Sequence, residues 1–422
     1  MKLAVVGGGS TYTPELVDGI ARLTGDIKIT ELVLVDPDAE RLSVVGPFSA
    51  RIMTRYGHPA TVSWTSDLDG AVDGAGAVLI QLRVGGQATR HRDETWPLEV
   101  CGCVGQETTG AGGFAKALRT VPVVLDVAAR VRERAAADAW IIDFTNPVGI
   151  VTRALLDAGH RAIGLCNVAI GFQREFAQLL QVAPEAVALD HVGLNHLTWE
   201  RAAIVGGVDR LPELIAAHGE QIAVHTGLPL AVTRAVGAVP SYYLRYYWAH
   251  DEVVEEERGQ QTRAQAVAEI ERQLLEMYAD PALDTKPELL THRGGAFYSE
   301  AAVALLASLV TDAKDRQVVN VRNNGTLPFL ADEAVIEVSA TIGASGAIPV
   351  QVDPVNPLMS GLIAHASAYE ELALDAALRG GRDRVAKALL AHPLVGQYDQ
   401  AEKLTDRLLA ENAQFLPWTA GL

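Results

Sequence analysis

Two short pairs of residues, far apart in the chain, carry the side chains best suited to bind a metal ion. Cys166-Asn167 follows the apolar run 162–165, which predicts a buried strand with the thiol at its carboxyl end. Asn195-His196 closes a second apolar segment. One thiolate and one imidazole leave a divalent metal with open positions, which substrate oxygens can fill. Taken singly, Cys166 can also be interpreted as an inert buried thiol and His196 as a hydrogen-bonded core histidine.

The amino terminus carries a glycine-rich turn of the kind that binds a dinucleotide. An apolar strand over 3–6 runs into this turn, and Thr13-Pro14 is typical of a helix start. Backbone N–H groups and the helix dipole then favour a pyrophosphate. The residues of the turn are Gly7, Gly8, Gly9, Ser10, Thr11 and Tyr12. Tyr12 departs from G-x-G-x-x-G, since it stands in the place of the third glycine.

Asp36 follows a second predicted strand, over 31–35. An acid at that point hydrogen-bonds a ribose 2′-hydroxyl and repels a 2′-phosphate, so the sequence favours NAD over NADP. A nicotinamide site together with an open metal site indicates chemistry at a carbinol carbon.

The segment 240–248 concentrates five aromatic residues and one arginine in a chain that is 6% aromatic. A core helix with an aromatic stripe is one interpretation. In the other, a tyrosine beside a metal or a cation acts as a general base, because the neighbouring charge acidifies its phenol.

The elements that must position these residues alternate between strand and helix in the amino-terminal half. Strands are predicted over 77–80 and 140–142 and a long helix over 115–137, which implies a parallel sheet covered by helices. The polar segment 83–113 between them is predicted to be a long ligand-binding loop, with a solvated surface as the alternative. After His196 the alternation fades, and 252–272 is predicted to be one charged helical stretch.

Composition excludes several classes of protein. With 422 residues, 49% hydrophobic and 21% charged, the chain is long enough for two folded domains. The net charge of −17 argues against nucleic acid or an anionic membrane as a partner. The three cysteines are too few for a disulfide framework, the start does not read as a signal peptide, and no apolar run is long enough to span a membrane. We therefore expect a cytoplasmic protein.

The motifs, in this order, resemble those of glycoside hydrolase family 4, the NAD- and metal-dependent glycosidases, over nearly the whole chain. Asn167 after the cysteine is similar to the 6-phospho-β-glucosidase branch, since α-acting branches carry Asp or His there. Ala169 departs from the usual proline, and Trp248 from a common tyrosine. The matching motifs are Gly7-Gly8-Gly9-Ser10-Thr11, Arg83-Val84-Gly85-Gly86, Gly105-Gln106-Glu107-Thr108-Thr109-Gly110, Thr145-Asn146-Pro147, Cys166-Asn167-Val168, Gly193-Leu194-Asn195-His196, Tyr243-Leu244-Arg245-Tyr246-Tyr247 and Arg293-Gly294-Gly295.

The resemblance implies hydrolysis of 6-phospho-β-glucosides by redox, elimination and addition. The C3 hydroxyl is oxidised by NAD, a base removes the C2 proton, the aglycone leaves from C1, water adds and C3 is reduced again. Manganese or another divalent ion chelates the C2 and C3 oxygens. This chemistry is one of the exceptions to the two-carboxylate mechanism of glycosidases.

The resemblance also implies a role for individual residues. Tyr243 aligns with the base, with Tyr242 and Tyr246 left open, and Cys166 and His196 align with the metal ligands. The cofactor-binding residues are Gly7, Gly9, Ser10, Thr11, Asp36 and Arg83, and the substrate-binding residues are Arg90, Glu107, Asn146, Asn167 and Arg263.

The expected architecture is α/β. A Rossmann-like doubly wound parallel sheet over 1–167 binds NAD, and an α+β domain over 168–422 serves substrate, metal and oligomerisation, as in lactate and malate dehydrogenases. A homodimer or homotetramer is expected. Three alternatives stay open: an NAD-dependent hydroxyacid dehydrogenase, a family 4 enzyme for unphosphorylated or α-linked glycosides, and a non-catalytic NAD-sensing protein.

Overall fold

The computed structural model describes residues 1–22, 27–295 and 297–421. One mixed sheet of 13 strands runs through this part of the chain. Its strands are β1 (Lys2–Val6), β2 (Glu31–Val35), β3 (Thr61–Thr65), β4 (Ala77–Ile80), β5 (Trp140–Asp143), β6 (Ala162–Gly164), β7 (Val187–Leu194), β8 (Leu197–Val205), β9 (Val208–Asp209), β10 (Val239–Pro240), β11 (Asp315–Arg322), β12 (Val335–Gly343) and β13 (Gly346–Pro349).

Helices cover both faces of this sheet, and short 3-10 turns complete the connections. The helices are α1 (Thr13–Arg22), α2 (Ala39–Arg55), α3 (Leu68–Val72), α4 (Gly86–Cys101), α5 (Gly110–Arg134), α6 (Val148–Asp157), α7 (Val168–Leu180), α8 (Leu211–Thr226), α9 (Leu230–Val236), α10 (Arg245–Trp248), α11 (His250–Glu257), α12 (Arg263–Tyr278), α13 (Tyr298–Thr311), α14 (Pro357–Arg379), α15 (Arg382–Ala391) and α16 (Tyr398–Asn412). Among the described residues, no helix has both the length and the apolar character needed to cross a membrane.

The first six strands form a parallel sheet in the order β3-β2-β1-β4-β5-β6. This is the strand order of a dinucleotide-binding fold, in which the ligand lies at the carboxyl ends of β1 and β4, where the order reverses. The expected Rossmann-like parallel sheet is confirmed. From β6 the sheet continues through antiparallel strands, β11-β12-β7-β8-β10.

Two hydrophobic clusters lie on opposite faces of the sheet. Successive residues of β1 point to opposite faces, so Leu3 and Val5 belong to one cluster while Ala4 and Val6 belong to the other. The second cluster packs α5 and α6 against α14, α15 and α16, the last long helices of the chain. The sheet and this cluster both pass through the expected boundary at residue 167, and the division into two domains stays a prediction.

The expected loop over 83–113 is wrong in its central part, since α4 occupies residues 86–101. The reason is that α4 turns charged residues inward, with Asp93 1%, Glu94 7% and Arg90 8% exposed. Their burial replaces the apolar stripe by which an amphipathic helix is recognised in a sequence.

The stretch 252–272 contains parts of two helices and not one. α11 ends at Glu257, and α12 starts with a capping box in which Thr262 accepts from the Gln265 amide and Gln265 accepts from that of Thr262. The long helix α5 begins five residues before the expected start at 115.

Candidate functional site

The glycine-rich turn lies at the carboxyl end of β1 and leads into α1. Gly7 has φ +87°, and a side-chain Cβ there would lie 2.5 Å from the carbonyl oxygen of Gln81. A Cβ on Gly8 would lie 2.7 Å from that of Leu34. Only glycine permits so close a backbone, which is the requirement for binding a pyrophosphate. The turn therefore fits a dinucleotide.

Asp36 lies at the end of β2 beside this turn. Its carboxylate accepts hydrogen bonds from the backbone amides of Gly9, at 3.1 Å, and Asp38, at 3.0 Å. Burial raises the pKa of Asp36, and both amide bonds oppose that change. The structure thus places Gly7, Gly9, Ser10, Thr11 and Asp36 together, at the edge of the sheet where β1 and β2 end.

Arg293 contacts the same turn from the carboxyl-terminal half. Its Nε donates to Thr11 Oγ1 at 2.6 Å, and its Nη2 donates to Glu271 Oε1 at 2.9 Å and to Ser10 Oγ at 3.4 Å. Glu271 is 6% exposed and also accepts from Gln87 Nε2 at 3.0 Å. The sequence offered Arg293 only as part of a motif without a role, and it offered nothing for Glu271.

Glu107 lies among three cations. Lys116 Nζ lies 2.8 Å from Glu107 Oε2, Arg90 Nε lies 3.2 Å from Oε1, and Arg83 donates to Oε2. Burial alone would raise the pKa of Glu107, but Arg83, Lys116 and Arg90 hold it well below its usual range. Arg83 therefore lies next to a predicted substrate residue and not at Asp36. Lys116 was missed by the sequence analysis, although a lysine within the apolar start of α5 was a usable signal.

Lys116 itself is 2% exposed. Burial, with the repulsion of Arg83 and Arg90, lowers its pKa to about 8, while Glu107 opposes that shift. The cluster thus buries a carboxylate together with cations that compensate its charge.

Arg90 and Arg263 lie close enough for their charges to interact, and burial together with Arg90 lowers the pKa of Arg263. Both ionic contacts of Arg90 come from Nε, at 2.7 Å to Glu94 and 3.2 Å to Glu107. The second oxygen of Glu94 accepts from the backbone amide of Ala264 at 2.8 Å. Within the part of the chain that the structure describes, the terminal nitrogens of Arg90 have no acceptor. Such a pair of guanidinium groups suits an anion.

Tyr243 stacks on the ring of His196, with centroids 3.6 Å apart and an interplanar angle of 7°. Burial, Cys166 and Tyr246 raise the pKa of Tyr243 well above its usual range, and Glu107 acts in the same direction. The other two candidates lie differently, since the hydroxyl of Tyr246 accepts from Gln106 at 3.1 Å and that of Tyr242 accepts from Arg245 at 2.7 Å. Of these three tyrosines, Tyr243 therefore stacks on one predicted metal ligand, His196, and interacts electrostatically with the other, Cys166.

Cys166 is buried between β6 and α7. Tyr298 donates its hydroxyl hydrogen to the sulfur at 3.9 Å. Burial and the nearby Glu337 raise the pKa of the thiol to about 12. A cation is therefore needed to hold it as a thiolate at neutral pH.

His196 lies in the turn between β7 and β8, with φ +63°. Its Nδ1 is 3.0 Å from the hydroxyl of Thr108, which itself donates to Gln106 Oε1 at 3.1 Å. Nδ1 thus carries the proton, which leaves the lone pair of Nε2 for a metal. Burial lowers the pKa of His196 to about 4, so the imidazole is neutral, as a ligand must be.

This donor set fits a divalent ion with open positions. Among residues 1–22, 27–295 and 297–421, no group of three or more His, Cys, Asp or Glu side chains is arranged to hold a metal. Two protein donors leave the other positions to water or to substrate oxygens.

A buried ionic network lies behind these donors, and the sequence gave no sign of it. Glu337 accepts from Asn195 at 2.8 Å and from Asn320 at 3.0 Å, and it lies 3.2 Å from His191 Nε2. His191 Nδ1 is 2.6 Å from Glu200, and the two carboxylates raise the pKa of His191 to about 10 against the effect of burial. The network therefore holds Asn195, next to His196, by a charged hydrogen bond.

The two remaining predicted substrate residues lie at helix starts. Asn146 comes just before α6, and its buried Oδ1 has no hydrogen-bond partner within the described chain. Asn167 occupies the N-cap position of α7, next to Cys166. An unpartnered buried acceptor such as Asn146 Oδ1 suits a sugar hydroxyl.

Known proteins match this chain along its length. Residues 2–182 match the model of the family 4 glycosyl hydrolases, and residues 191–395 match that of the family 4 glycosyl hydrolase C-terminal domain. A probable 6-phospho-β-glucosidase of Bacillus subtilis is 35% identical, over 99% of this chain and 97% of that protein. The structure of the 6-phospho-β-glucosidase of Thermotoga maritima with manganese, NAD+ and glucose 6-phosphate is 34% identical, with a TM-score of 0.93 over 98% of this chain and 99% of that one.

Malate dehydrogenase of Salinibacter ruber shares the fold alone, with 18% identity and a TM-score of 0.55 over 91% of this chain and 99% of that one. The expected likeness to dehydrogenases in architecture is confirmed. The family models and the relatives that match over the whole length point to family 4, as do the sequence motifs. The chain belongs to family 4 of the glycosyl hydrolases.

Proposed function

We propose that this protein hydrolyses 6-phospho-β-glucosides by NAD-dependent oxidation, elimination, addition and re-reduction. Support comes from family membership and from relatives named as 6-phospho-β-glucosidases at 34–35% identity over nearly the whole chain. The observation that carries the proposal is the pair Arg90 and Arg263, whose charges interact with each other. Arg90 also interacts with Tyr243, and its contacts with Glu94 and Glu107 engage Nε alone. An unphosphorylated glycoside would leave the terminal nitrogens of Arg90 without an acceptor among the described residues. Neither the dehydrogenase nor the α-glycosidase alternative is favoured.

NAD and a divalent metal such as manganese supply the redox step at C3 and Lewis-acid polarisation of the C2 and C3 oxygens. Gly7, Gly9 and Asp36 would hold the cofactor, and Cys166 and His196 would hold the metal. The protein's own part is to orient the sugar, exclude water and move one proton.

Tyr243 is the proposed base that takes the proton from C2. Its phenol lies against His196 and within the electrostatic reach of Cys166, hence beside the proposed metal ligands. Without a cation the surroundings oppose its ionisation. A divalent ion held by those ligands would lower the pKa of the Tyr243 hydroxyl, because a nearby positive charge stabilises the phenolate. Proton removal is thus linked to occupancy of the metal site.

Arg90 and Arg263 are proposed to bind the 6-phosphate, with Asn146 accepting a hydrogen bond from the sugar. Arg83 and Lys116 hold Glu107 ionised next to Arg90, which fixes the direction of that guanidinium. Glu107 is therefore placed to orient the substrate-binding arginine. Asn167 supplies an uncharged amide near the scissile bond. An acid matters less there, because the aglycone departs from an electron-rich enediolate.

The decisive test compares 4-nitrophenyl 6-phospho-β-glucoside with its unphosphorylated and α-linked analogues, with NAD and manganese present. We expect turnover of the phosphorylated β-glucoside with no net NADH. Arg263→Ala should raise the KM for the phosphorylated substrate roughly 10- to 100-fold, which is the value of about one charge-assisted hydrogen bond. It should change the KM for the unphosphorylated analogue little.

Arg272→Ala is the matched control, because Arg272 lies on the same helix and its ionic contacts are with exposed Glu269 and Glu276. It should leave both substrates unchanged. An equal loss on both substrates in Arg263→Ala would refute the phosphate assignment, and accumulation of NADH with turnover would refute the reaction.

We also propose a division of the chain into two domains and an assembly of several copies. Residues 1–167 would bind NAD, and 168–422 would serve substrate, metal and assembly into a homodimer or homotetramer. The three unpaired cysteines agree with a reducing cytoplasm. Light scattering on the purified protein tests the assembly.

A further inference from the structure

Tyr12, which replaces the third glycine of the dinucleotide fingerprint, reaches a segment 283 positions further along the chain. Its hydroxyl donates to the carbonyl oxygen of Gly295 at 2.5 Å. Gly295 has φ +88°, and a Cβ on it would lie 3.0 Å from the ring of Tyr12. A glycine at 12 could not make this bond. The departure from the fingerprint thus ties the cofactor turn to the segment 292–295, here called the bridging segment.

Arg293 provides a second connection between the same two regions. Its guanidinium bonds to the hydroxyls of Ser10 and Thr11 and lies 5.7 Å from the centre of the Tyr12 ring. Its other anchor is Glu271, which is held in turn by Gln87. Three consecutive residues of the cofactor turn therefore contact one side of the bridging segment.

The other side of the bridging segment contacts Arg263. The carbonyl oxygen of His292 accepts from Arg263 Nη2 at 2.9 Å. A Cβ on Gly294 would lie 3.2 Å from the same nitrogen, so the backbone passes close to the guanidinium. This carbonyl is the one hydrogen-bond acceptor that Arg263 has among the residues the structure describes. The position of Arg263 is thus set by the segment that the cofactor turn holds.

We propose that the bridging segment couples binding of NAD to binding of the substrate's 6-phosphate, with Tyr12 and Arg293 as positioning residues. The inference rests on the proposed function, since it takes Arg263 as a phosphate ligand. A cofactor in the turn fixes Ser10, Thr11 and Tyr12, these fix the bridging segment, and His292 then holds Arg263 in its binding position. By linkage, a phosphorylated ligand must tighten NAD binding by the same factor.

The test measures the dissociation constant of glucose 6-phosphate by calorimetry, with and without saturating NAD, at one fixed manganese concentration. Coupling between two sites usually changes the affinity for a ligand 5- to 150-fold. We therefore expect NAD to tighten the binding of glucose 6-phosphate about 10-fold in the unaltered protein. In Tyr12→Phe the ratio should fall to about 2-fold, and adding Arg293→Lys should bring it to about 1. Loss of structure alone would weaken both affinities and leave their ratio unchanged.

Tyr278→Phe is the matched control. Tyr278, at the end of α12, donates its hydroxyl hydrogen to the carbonyl oxygen of Thr11 at 2.8 Å. The substitution therefore removes a hydrogen bond to the same turn and leaves the bridging segment unaltered. It should keep the 10-fold ratio. Loss of the ratio in Tyr278→Phe would assign the coupling to α12 and overturn the proposal, as would an unchanged ratio in the Tyr12 and Arg293 double variant. Glucose 6-phosphate that binds equally with and without NAD overturns only the coupling, whereas no binding in either state refutes the phosphate site too.

Discussion

The cofactor turn and the proposed metal side of the site, which is the region around Cys166, His196 and Tyr243, are built in different ways. Residues 7–12 belong to one continuous strand, turn and helix, and Asp36 adds a carboxylate from the adjacent strand. The metal side joins Cys166 after β6, His196 between β7 and β8, and Tyr243 in a short helical turn. The first arrangement is specified by local sequence. The second exists only when the parallel and antiparallel parts of the sheet are assembled.

The two regions are also stabilised differently. Backbone contacts dominate the turn, where Gly7 lies against Gln81 and Gly9 donates to Asp36. Buried charges dominate the metal side, where Glu337 holds Asn195 and three cations surround Glu107. Removing one partner of a buried charge leaves that charge uncompensated. A single substitution is therefore expected to lower the free energy of unfolding more on the metal side than in the turn. The following predictions test whether the metal side can be altered while NAD binding is retained.

The largest effect is expected from Tyr243→Phe. Removing a general base costs about 100- to 10,000-fold in rate, so kcat should fall by that factor while NAD and manganese affinities stay unchanged. Exchange of the C2 hydrogen with solvent deuterium, followed by NMR, should stop. Tyr246→Phe is the control and should retain exchange. Exchange that persists in Tyr243→Phe and disappears in Tyr246→Phe would assign the base to Tyr246.

The next effect concerns Cys166→Ser. Manganese affinity, followed by electron paramagnetic resonance, should fall by more than about 100-fold, since even an outer partner of a ligand contributes 10- to 100-fold. Because the pKa of the free thiol is raised to about 12, metal binding at neutral pH should release a proton in the unaltered protein and not in this variant.

Cys103→Ser removes another buried thiol and serves as the control for that substitution. It should preserve both the metal affinity and the proton release. If NAD affinity falls in Cys166→Ser as much as metal affinity does, the two regions are not separable and the comparison fails.

The last prediction concerns stability, not activity, where the two regions join. Asp143 ends β5, its carbonyl oxygen accepts from Leu165 next to Cys166, and its buried Oδ2 has no partner in the described chain. Burial raises its pKa to about 8. The folded protein thus holds a proton that the unfolded chain loses near pH 4, and the resulting stability is lost as pH rises from about 4 to about 8.

Asp143→Asn should remove this dependence. The stability of the unaltered protein should decline by up to about 1.4 kcal/mol per pH unit relative to the variant across that range. Urea unfolding at pH 5 and pH 8 measures the difference, with the variant more stable at pH 8 and close to the unaltered protein at pH 5. Parallel curves for the two proteins would show that Asp143 is ionised in the folded state.

The parts of the fold and site that could be predicted from the sequence are those built from residues close together along the chain. The strand, turn and helix around Gly7 follow from glycine and capping chemistry, and the strand before Cys166 follows from its apolar run. It failed for α4, whose buried Arg90, Asp93 and Glu94 imitate a polar loop. Lys116, Glu271 and Glu337 were missed because their importance comes from partners on other elements, which no local pattern contains.

The last helices of the chain have a consequence for biosynthesis. α14, α15 and α16 complete the hydrophobic cluster that covers α5 on the amino-terminal sheet. On the ribosome, the part of α5 that packs against α14 and α16 therefore stays uncovered until nearly the whole chain has been translated. Exposed apolar surface of this kind favours aggregation and recruits chaperones. A nascent chain that stalls before α14 thus lacks the helices that complete this cluster, although every residue of the cofactor turn has already been made.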